Sequence, residues 1–231
     1  MITKYFVLDG ESSAQYGIQM QAPPVFEAPR QKITKVSVPA RNGDLVFYED
    51  AFENIKGTLK CFILKEQSFD YLADANRWLM KTGYRKLSFD GDDESYRLAV
   101  ITNAGQCAVR MYYLDPFEIE LDCKPQKYLL SGEIPMLFTS SGVFDCPAYE
   151  GIPLLKITGN GTVTLNGKTI TISGSSDWLM VDCEIQDAYK GTTNLNGKIS
   201  CDEFPKVVSG ENTLVLSGVT SVEITPRWYT V

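Results

Sequence analysis

Phe117-Glu118-Ile119-Glu120-Leu121-Asp122-Cys123-Lys124 alternates apolar and charged residues without a break. Successive side chains of a strand point to opposite faces, so this period of two writes one dry face and one wet face. The spacing predicts a long antiparallel-type strand whose outer side is acidic, and such a face is ordinarily just solvated. Cys123-Lys124-Pro125 is expected to end the run, because proline cannot donate to a ladder.

Upstream, most segments repeat the strand pattern. Lys86-Leu87-Ser88-Phe89 and Tyr96-Arg97-Leu98-Ala99-Val100 read as a hairpin around Asp90-Gly91-Asp92-Asp93-Glu94, the densest acidic cluster. That cluster lacks the spacing and terminal bidentate glutamate of a calcium loop and reads as a solvated turn. Another strand is expected over 107–113, and Leu59, Cys61 and Ile63 alternate within a half-buried strand over 55–64. One helix is predicted over 69–81. Ser68 is placed as its N-cap and Asp70 complements its positive end. Leu72, Ala75 and Leu79 share a face, and Gly83 suits a left-handed C′ residue. Trp78 and Met80 at helical spacing are expected to pack against the sheet. Before that helix, a short strand at Val36 is followed by Arg41-Asn42-Gly43-Asp44, where Asn42-Gly43 predicts a two-residue turn, and then by the polar-aromatic run Tyr48-Glu49-Asp50-Ala51-Phe52-Glu53-Asn54.

Downstream, residues 126–151 read as irregular, with Gly132, Pro135, Gly142 and Pro147 as breakers, and a domain boundary is expected near Tyr128, giving domains 1–127 and 128–231. Beyond it no helical periodicity appears. Asn166-Gly167 between Thr162-Val163-Thr164-Leu165 and Lys168-Thr169-Ile170-Thr171-Ile172 predicts a hairpin, and Asn196-Gly197 is expected to repeat the device. Short strands over 179–184, 212–216 and 222–226 complete a small β-sandwich. The expected fold class is therefore mainly β with one helix: a sandwich or barrel-like N-terminal domain followed by a C-terminal sandwich.

Composition narrows the chemistry. The chain has 231 residues, 44% of them hydrophobic and 22% charged, with a net charge of −7 and no histidine. Lacking histidine, it has no Ser-His or Cys-His dyad and none of the commonest zinc ligand. Its acidity opposes adhesion to a phosphate backbone, although a duplex would slide past an acidic wall without sticking. Lys32 and Lys35, near Arg30 and Arg41, read as part of a mixed-charge surface. Six scattered cysteines, Cys61, Cys107, Cys123, Cys146, Cys183 and Cys201, form no C-x-x-C pair and read as small buried hydrophobes. Gly159-Asn160-Gly161-Thr162 lacks the residues of a phosphate loop. No apolar run approaches a bilayer span, and the N-terminus does not read as a signal peptide, so assembly in a cytoplasm is expected.

The order of these features along the whole chain resembles the distal tail protein (Dit) family of siphophages. Pro39-Ala40-Arg41-Asn42-Gly43 fits that family's P-x-R-x-G strand-loop. Tyr48 to Asn54, the strand and helix through Trp78, Leu87-Ser88-Phe89-Asp90, Asp92-Asp93-Glu94, Tyr96 and Ala99 follow in the order of its ring-forming domain. Phe117 to Pro125 resembles its F-x-I-x-F-x-C-x-P close. Gly159-Asn160-Gly161, Asn166-Gly167, Val181-Asp182-Cys183-Glu184, Phe204-Pro205, Ser209-Gly210-Glu211-Asn212 and Ile224-Thr225-Pro226-Arg227-Trp228 resemble its galectin-like sandwich.

The resemblance implies a structural protein and no cofactor: a hexameric ring at the virion tail tip, stacked between the major tail tube protein and the tail-associated hub or lysin protein. The outer sandwich would hold receptor-binding or side-fibre proteins, and DNA would meet the ring only in transit through its lumen, which the acidic face of 117–124 would line unless it met a neighbour. Arg41, Asn42, Gly43, Asp44, Tyr48, Phe52 and Asn54 are the expected inter-subunit or tube contacts. The compact second half leaves no room for an inserted carbohydrate-binding module. One rival is a carbohydrate-binding module or lectin-like adhesin, with Trp178, Tyr189, Trp228 and Tyr229 stacking on sugars and Asp182 or Glu184 accepting hydroxyl hydrogen bonds. The other, a glycosidase with paired carboxylates, ranks last because no pair stands out by spacing.

Overall fold

A computed structural model describes residues 4–63, 69–92, 94–105, 116–174 and 177–231. The fold is mainly β with one α-helix, and the chain divides into two compact units that meet in sequence at Lys127 and Tyr128. The expected strand over 107–113, the N-cap at Ser68, and Cys107 lie outside the described residues.

The first unit holds β1 (Phe6–Leu8), β2 (Glu11–Ser12), β3 (Ile18–Met20), β4 (Val25–Phe26), β5 (Gln31–Val36), β6 (Leu45–Phe52), β7 (Ile55–Ile63), α1 (Phe69–Leu79), β8 (Arg85–Phe89), β9 (Ser95–Asn103) and β10 (Phe117–Leu129). Neighbouring strands run β1-β8-β9-β10-β7-β3. The Met20 N–H donates to the Lys4 carbonyl at 2.8 Å, which brings β3 back to the start of β1 and curls the sheet into a barrel-like wall. β10 realises the alternation: Phe117, Ile119, Leu121 and Cys123 are buried while Glu118 and Glu120 are exposed. It does not stop at Pro125. Pairing with β7 ends at Cys123↔Ile55, so the N–H that Pro125 lacks has no β7 partner to lose, and the strand continues to Leu129.

The helix closes this core with Ala75, Trp78 and Leu79. The Trp78 indole stacks on Tyr16 at 4.4 Å and Phe6 at 5.7 Å between ring centres. Arg85 donates to the Trp78 carbonyl at 2.6 Å, satisfying one of the acceptors that a helix C-terminus leaves open; the helix ends at Leu79 rather than at 81, so Gly83, with φ +91°, lies in the loop beyond it and not at C′. Met80 departs from expectation: it follows the last helical turn and is 52% exposed, outside the face that carries Trp78.

The second unit holds β11 (Met136–Phe138), β12 (Gly142–Gly151), β13 (Leu154–Leu165), β14 (Lys168–Ile172), β15 (Trp178–Asp182), β16 (Asp187–Lys190), β17 (Thr193–Asn194), β18 (Ile199–Ser200), β19 (Val207–Thr225) and β20 (Trp228–Thr230). β11 and β12 occupy the stretch expected to be irregular. Pro147 is tolerated because the β12–β19 pairing skips there, between Cys146 and Glu150. Asn166 (φ +50°) and Gly167 (φ +80°) make the β13–β14 turn with both central residues left-handed, as a two-residue hairpin needs. Asn196-Gly197 instead opens a 3₁₀ turn. The Asn196 side chain accepts from the Ala188 N–H at 2.6 Å, and Gly197 has no positive φ.

The two strands expected over 212–216 and 222–226 are one 19-residue strand. The stretch between them passes through a bulge shared with β13, whose register shifts between Thr158 and Thr162. A Cβ on Gly161 (φ +147°) would stand 2.1 Å from the Ser217 carbonyl oxygen, so the two backbones approach closer than any side chain allows. Leu155, Ile157, Val163, Leu165, Val222 and Ile224 pack beneath these strands in a core of the unit's own.

Candidate functional site

β5 and β6 form a separate two-stranded sheet within the first unit. Ile33 faces Tyr48 and Lys35 faces Val46 across one side, while Thr34 faces Phe47 and Val36 faces Leu45 across the other. Both sides therefore carry apolar side chains. Every described residue of β5 is exposed, as are Val46, Phe47 and Tyr48; the last two are 55% and 65% exposed. None of these residues joins the unit's core.

Arg41, Asn42, Gly43 and Asp44 lie together and exposed in the connecting loop at the hairpin's tip. The expected two-residue turn at Asn42-Gly43 is replaced by an eight-residue loop, 37–44. Its left-handed residues are Ala40 (φ +62°) and Gly43 (φ +78°), not the adjacent pair that a tight turn needs, and the Arg41 N–H donates to the Val38 carbonyl at 3.2 Å. Tyr48 sits mid-strand. Phe52, opposite Gln31 and half-buried, and Asn54, whose amide donates to the Tyr84 hydroxyl at 2.7 Å, mark the root. The eight residues of β6 put tip and root about 25 Å apart, so the seven residues make a long ridge rather than a pocket.

Sequence reading missed Ile33, Val36, Val46 and Phe47. The available signal was the unbroken apolar run Leu45-Val46-Phe47-Tyr48, which asks for cover on both faces of a strand. Beside the root, Asn54, Lys56, Thr58, Thr102, Glu118, Glu120 and Asp122 line an open cleft of about 520 Å³.

The other candidate groups are engaged. Burial pushes the Asp92 carboxyl up, but the Ser95 hydroxyl, donating at 2.8 and 2.9 Å, and the Lys127 ammonium at 3.0 Å outweigh it and hold the group below its ordinary range. Asp93 lies outside the described residues. Asp182, nearly buried, takes a two-pronged pair from Arg227 at 2.9 and 3.1 Å, with Glu184 at 3.8 Å from the same guanidinium. Two of the four aromatics of the rival sugar-binding reading are packed inside the unit, while Trp178 and Tyr189 are half-buried. Trp228 and Tyr229 are 7% and 6% exposed, Trp228 donates to the Ser131 hydroxyl, and the Lys190 and Lys156 ammonium groups stand 4.8 and 5.7 Å from the Trp178 ring. Cys61, Cys123, Cys146 and Cys183 are buried free thiols, and burial pushes Cys61, Cys123 and Cys183 up to about 12. Among the described residues no cluster of acids and cysteines is arranged to hold a metal ion, and no helix is long and apolar enough to cross a membrane.

The fold is similar to the crystal structure of SPP1 Dit (gp 19.1), described as a paradigm of the hub adsorption apparatus in phages infecting Gram-positive bacteria. The superposition has a TM-score of 0.67 and covers 96% of this chain and 97% of that one. The fold is that of Dit. Only 10% of the aligned residues are identical, so the likeness is one of architecture. No protein-family model matches the sequence, and no curated protein matches it.

Proposed function

We propose that the chain is a structural protein of a long non-contractile phage tail. It forms a ring of six copies at the distal tip, joins the tail tube to the tail-associated hub protein, and offers its second unit as a platform for receptor-binding or side-fibre proteins. The observation that carries this reading is the β5–β6 hairpin, open on both faces within a Dit fold. A two-stranded ribbon is marginal in water, and one with apolar residues on both sides is expected to be covered in an assembly. Arg41 to Asp44 at the tip, with Tyr48, Phe52 and Asn54 below, are the residues assigned to neighbouring copies or to the tube. The chemistry of such a part is mechanical: it holds partners in register around a lumen and turns over no substrate.

Labelling particles of the encoding phage with gold-conjugated antibody fragments against this chain tests the reading. Gold at the distal end of the tail is the expected result. Gold on the capsid, or particles lacking the chain's peptides in mass spectrometry, would overturn it.

A further inference from the structure

Asparagine is followed by glycine four times in the chain, at Asn42, Asn160, Asn166 and Asn196. Asparagine is a thermolabile residue, and the pair reacts wherever the glycine nitrogen can swing onto the asparagine side-chain carbon. Glycine has no Cβ to block that approach, and its backbone turns freely. The fold treats the four pairs differently. Asn166 is pinned at both amide atoms: its nitrogen donates to the Lys206 carbonyl at 3.0 Å and to the Asn212 side-chain oxygen at 2.7 Å, and its oxygen accepts from the Thr213 N–H at 3.0 Å. The Asn196 oxygen accepts from the Ala188 N–H at 2.6 Å, and its nitrogen donates to the Asp187 carboxylate. Asn160 lies within β13, where Gly161 is pressed so closely on β19 that the peptide joining the pair has no room to rotate. Asn42 has none of these restraints. It is exposed in the 37–44 loop, and among the described residues neither its side chain nor the Gly43 N–H makes a hydrogen bond. Gly43 (φ +78°) has nothing within 4 Å of where a Cβ would stand, so space around the reacting atoms is open.

We infer that Asn42 is a site of spontaneous deamidation, the pair among these four that the folded chain leaves reactive, with water as the co-reactant. The Gly43 nitrogen bonds to the Asn42 side-chain carbon, its proton passes to the departing amide nitrogen, and ammonia leaves behind a cyclic succinimide. Water then adds to one of the two ring carbonyls, the ring C–N bond breaks there, and the Gly43 nitrogen regains a proton. Opening at the side-chain carbonyl gives aspartate. Opening at the main-chain carbonyl gives isoaspartate, whose backbone is longer by a methylene. No electrons change hands: a water enters and an ammonia departs. Either product adds a negative charge between Arg41 and Asp44, on a chain already at −7. The inference goes beyond the ring reading, but the change falls in the loop assigned above to neighbouring copies or the tube, so on that reading converted and unconverted chains present different tips.

Peptide mapping by mass spectrometry of the full folded chain, incubated at mildly alkaline pH, tests this. The mass gain of exchanging an amide NH₂ for OH is expected at Asn42 at least about tenfold faster than at Asn160, Asn166 or Asn196, because a free loop opens at almost no cost while pinned side chains open only with the elements that hold them. Conversion should quicken as pH rises, since the Gly43 nitrogen attacks after losing its proton. Isoaspartyl methyltransferase should label the product, which direct hydrolysis of the amide would not allow. In urea the four pairs should converge on similar rates. Asn42→Gln, which would need a larger and slower-forming ring, should remove the acidic species that isoelectric focusing shows for the aged native chain. An intact Asn42, equal conversion of the other three in the folded chain, or a product without isoaspartate would each overturn the inference. The chemistry needs only the isolated chain and gold labelling needs only the virion, so the two readings fail separately.

Discussion

Asn212 is completely buried in the second unit, and each hydrogen-bonding direction of its amide is used. Its nitrogen donates to the carbonyls of Val208 and Gly210, both at 2.8 Å; its oxygen accepts from the Val208 N–H at 2.8 Å and from the Asn166 amide at 2.7 Å. It thereby ties the start of β19 to the β13–β14 turn. Asn212→Ala removes four bonds worth about 0.5–1.5 kcal/mol each, which bounds the loss between about 2 and 6 kcal/mol. Val208 is 46% exposed, so water reaches its freed backbone groups. That places the expected loss at about 2–4 kcal/mol, a fall of roughly 10–25 °C in the melting temperature of a unit this size.

Asn212→Asp separates this account from a simple packing defect. It keeps the acceptors, loses the donors, and sets a carboxyl without solvent against two carbonyls, so burial raises its folded-state pKa. A group whose folded pKa is raised is least costly below its unfolded value of about 3.9 and grows costlier as pH rises from there. Urea titrations followed by circular dichroism should show a flat penalty for the alanine variant and a rising one for the aspartate between about pH 5 and 8. A loss below about 1 kcal/mol for Asn212→Ala, or a pH-independent Asn212→Asp, would refute the reasoning.

Three further outcomes are expected. Gly161→Ala sets a methyl group against the Ser217 carbonyl in a backbone region that disfavours any side chain; calorimetry should show the second unit melting earlier while the first is unchanged. Burial raises the Asp9 carboxyl, but its bonds from Arg85 and the Lys86 N–H prevail and hold it below its ordinary value. Its contribution is therefore present above about pH 3.9 and lost as pH falls through the lower folded value, so the stability gap between wild type and Asp9→Asn in urea titrations should close on acidification. Among Cys61, Cys123, Cys146, Cys183 and Cys201, a maleimide at pH 7 should label only Cys201 in the native chain, since the others are buried, and all five after denaturation; peptide mapping reads the result.

The elements legible in the sequence are those whose signal is local. β10, the helix and the Asn166-Gly167 turn follow from alternation, a shared apolar face and a pair of residues that tolerate positive φ. Misreadings arose where a tertiary partner decides. Pro125 is harmless because β7 has already ended, and Pro147 because the pairing skips at a bulge. At the hairpin, Arg41 to Asp44 and Tyr48 to Asn54 were legible as a strand-loop, but not its length, which depends on left-handed φ at Ala40 rather than Asn42. Nor was its isolation legible, because no short-range pattern reports that the rest of the chain leaves a strand uncovered.

The central claim is that this chain builds a ring at the end of a phage tail. Electron cryomicroscopy of the tail tip of the encoding phage tests it most directly. The account predicts a closed ring of six barrel units between the tube and the hub, each with a sandwich unit attached and its hairpin against a neighbour. A tip that reconstructs without this fold, or the chain found only away from the tail axis, would contradict it.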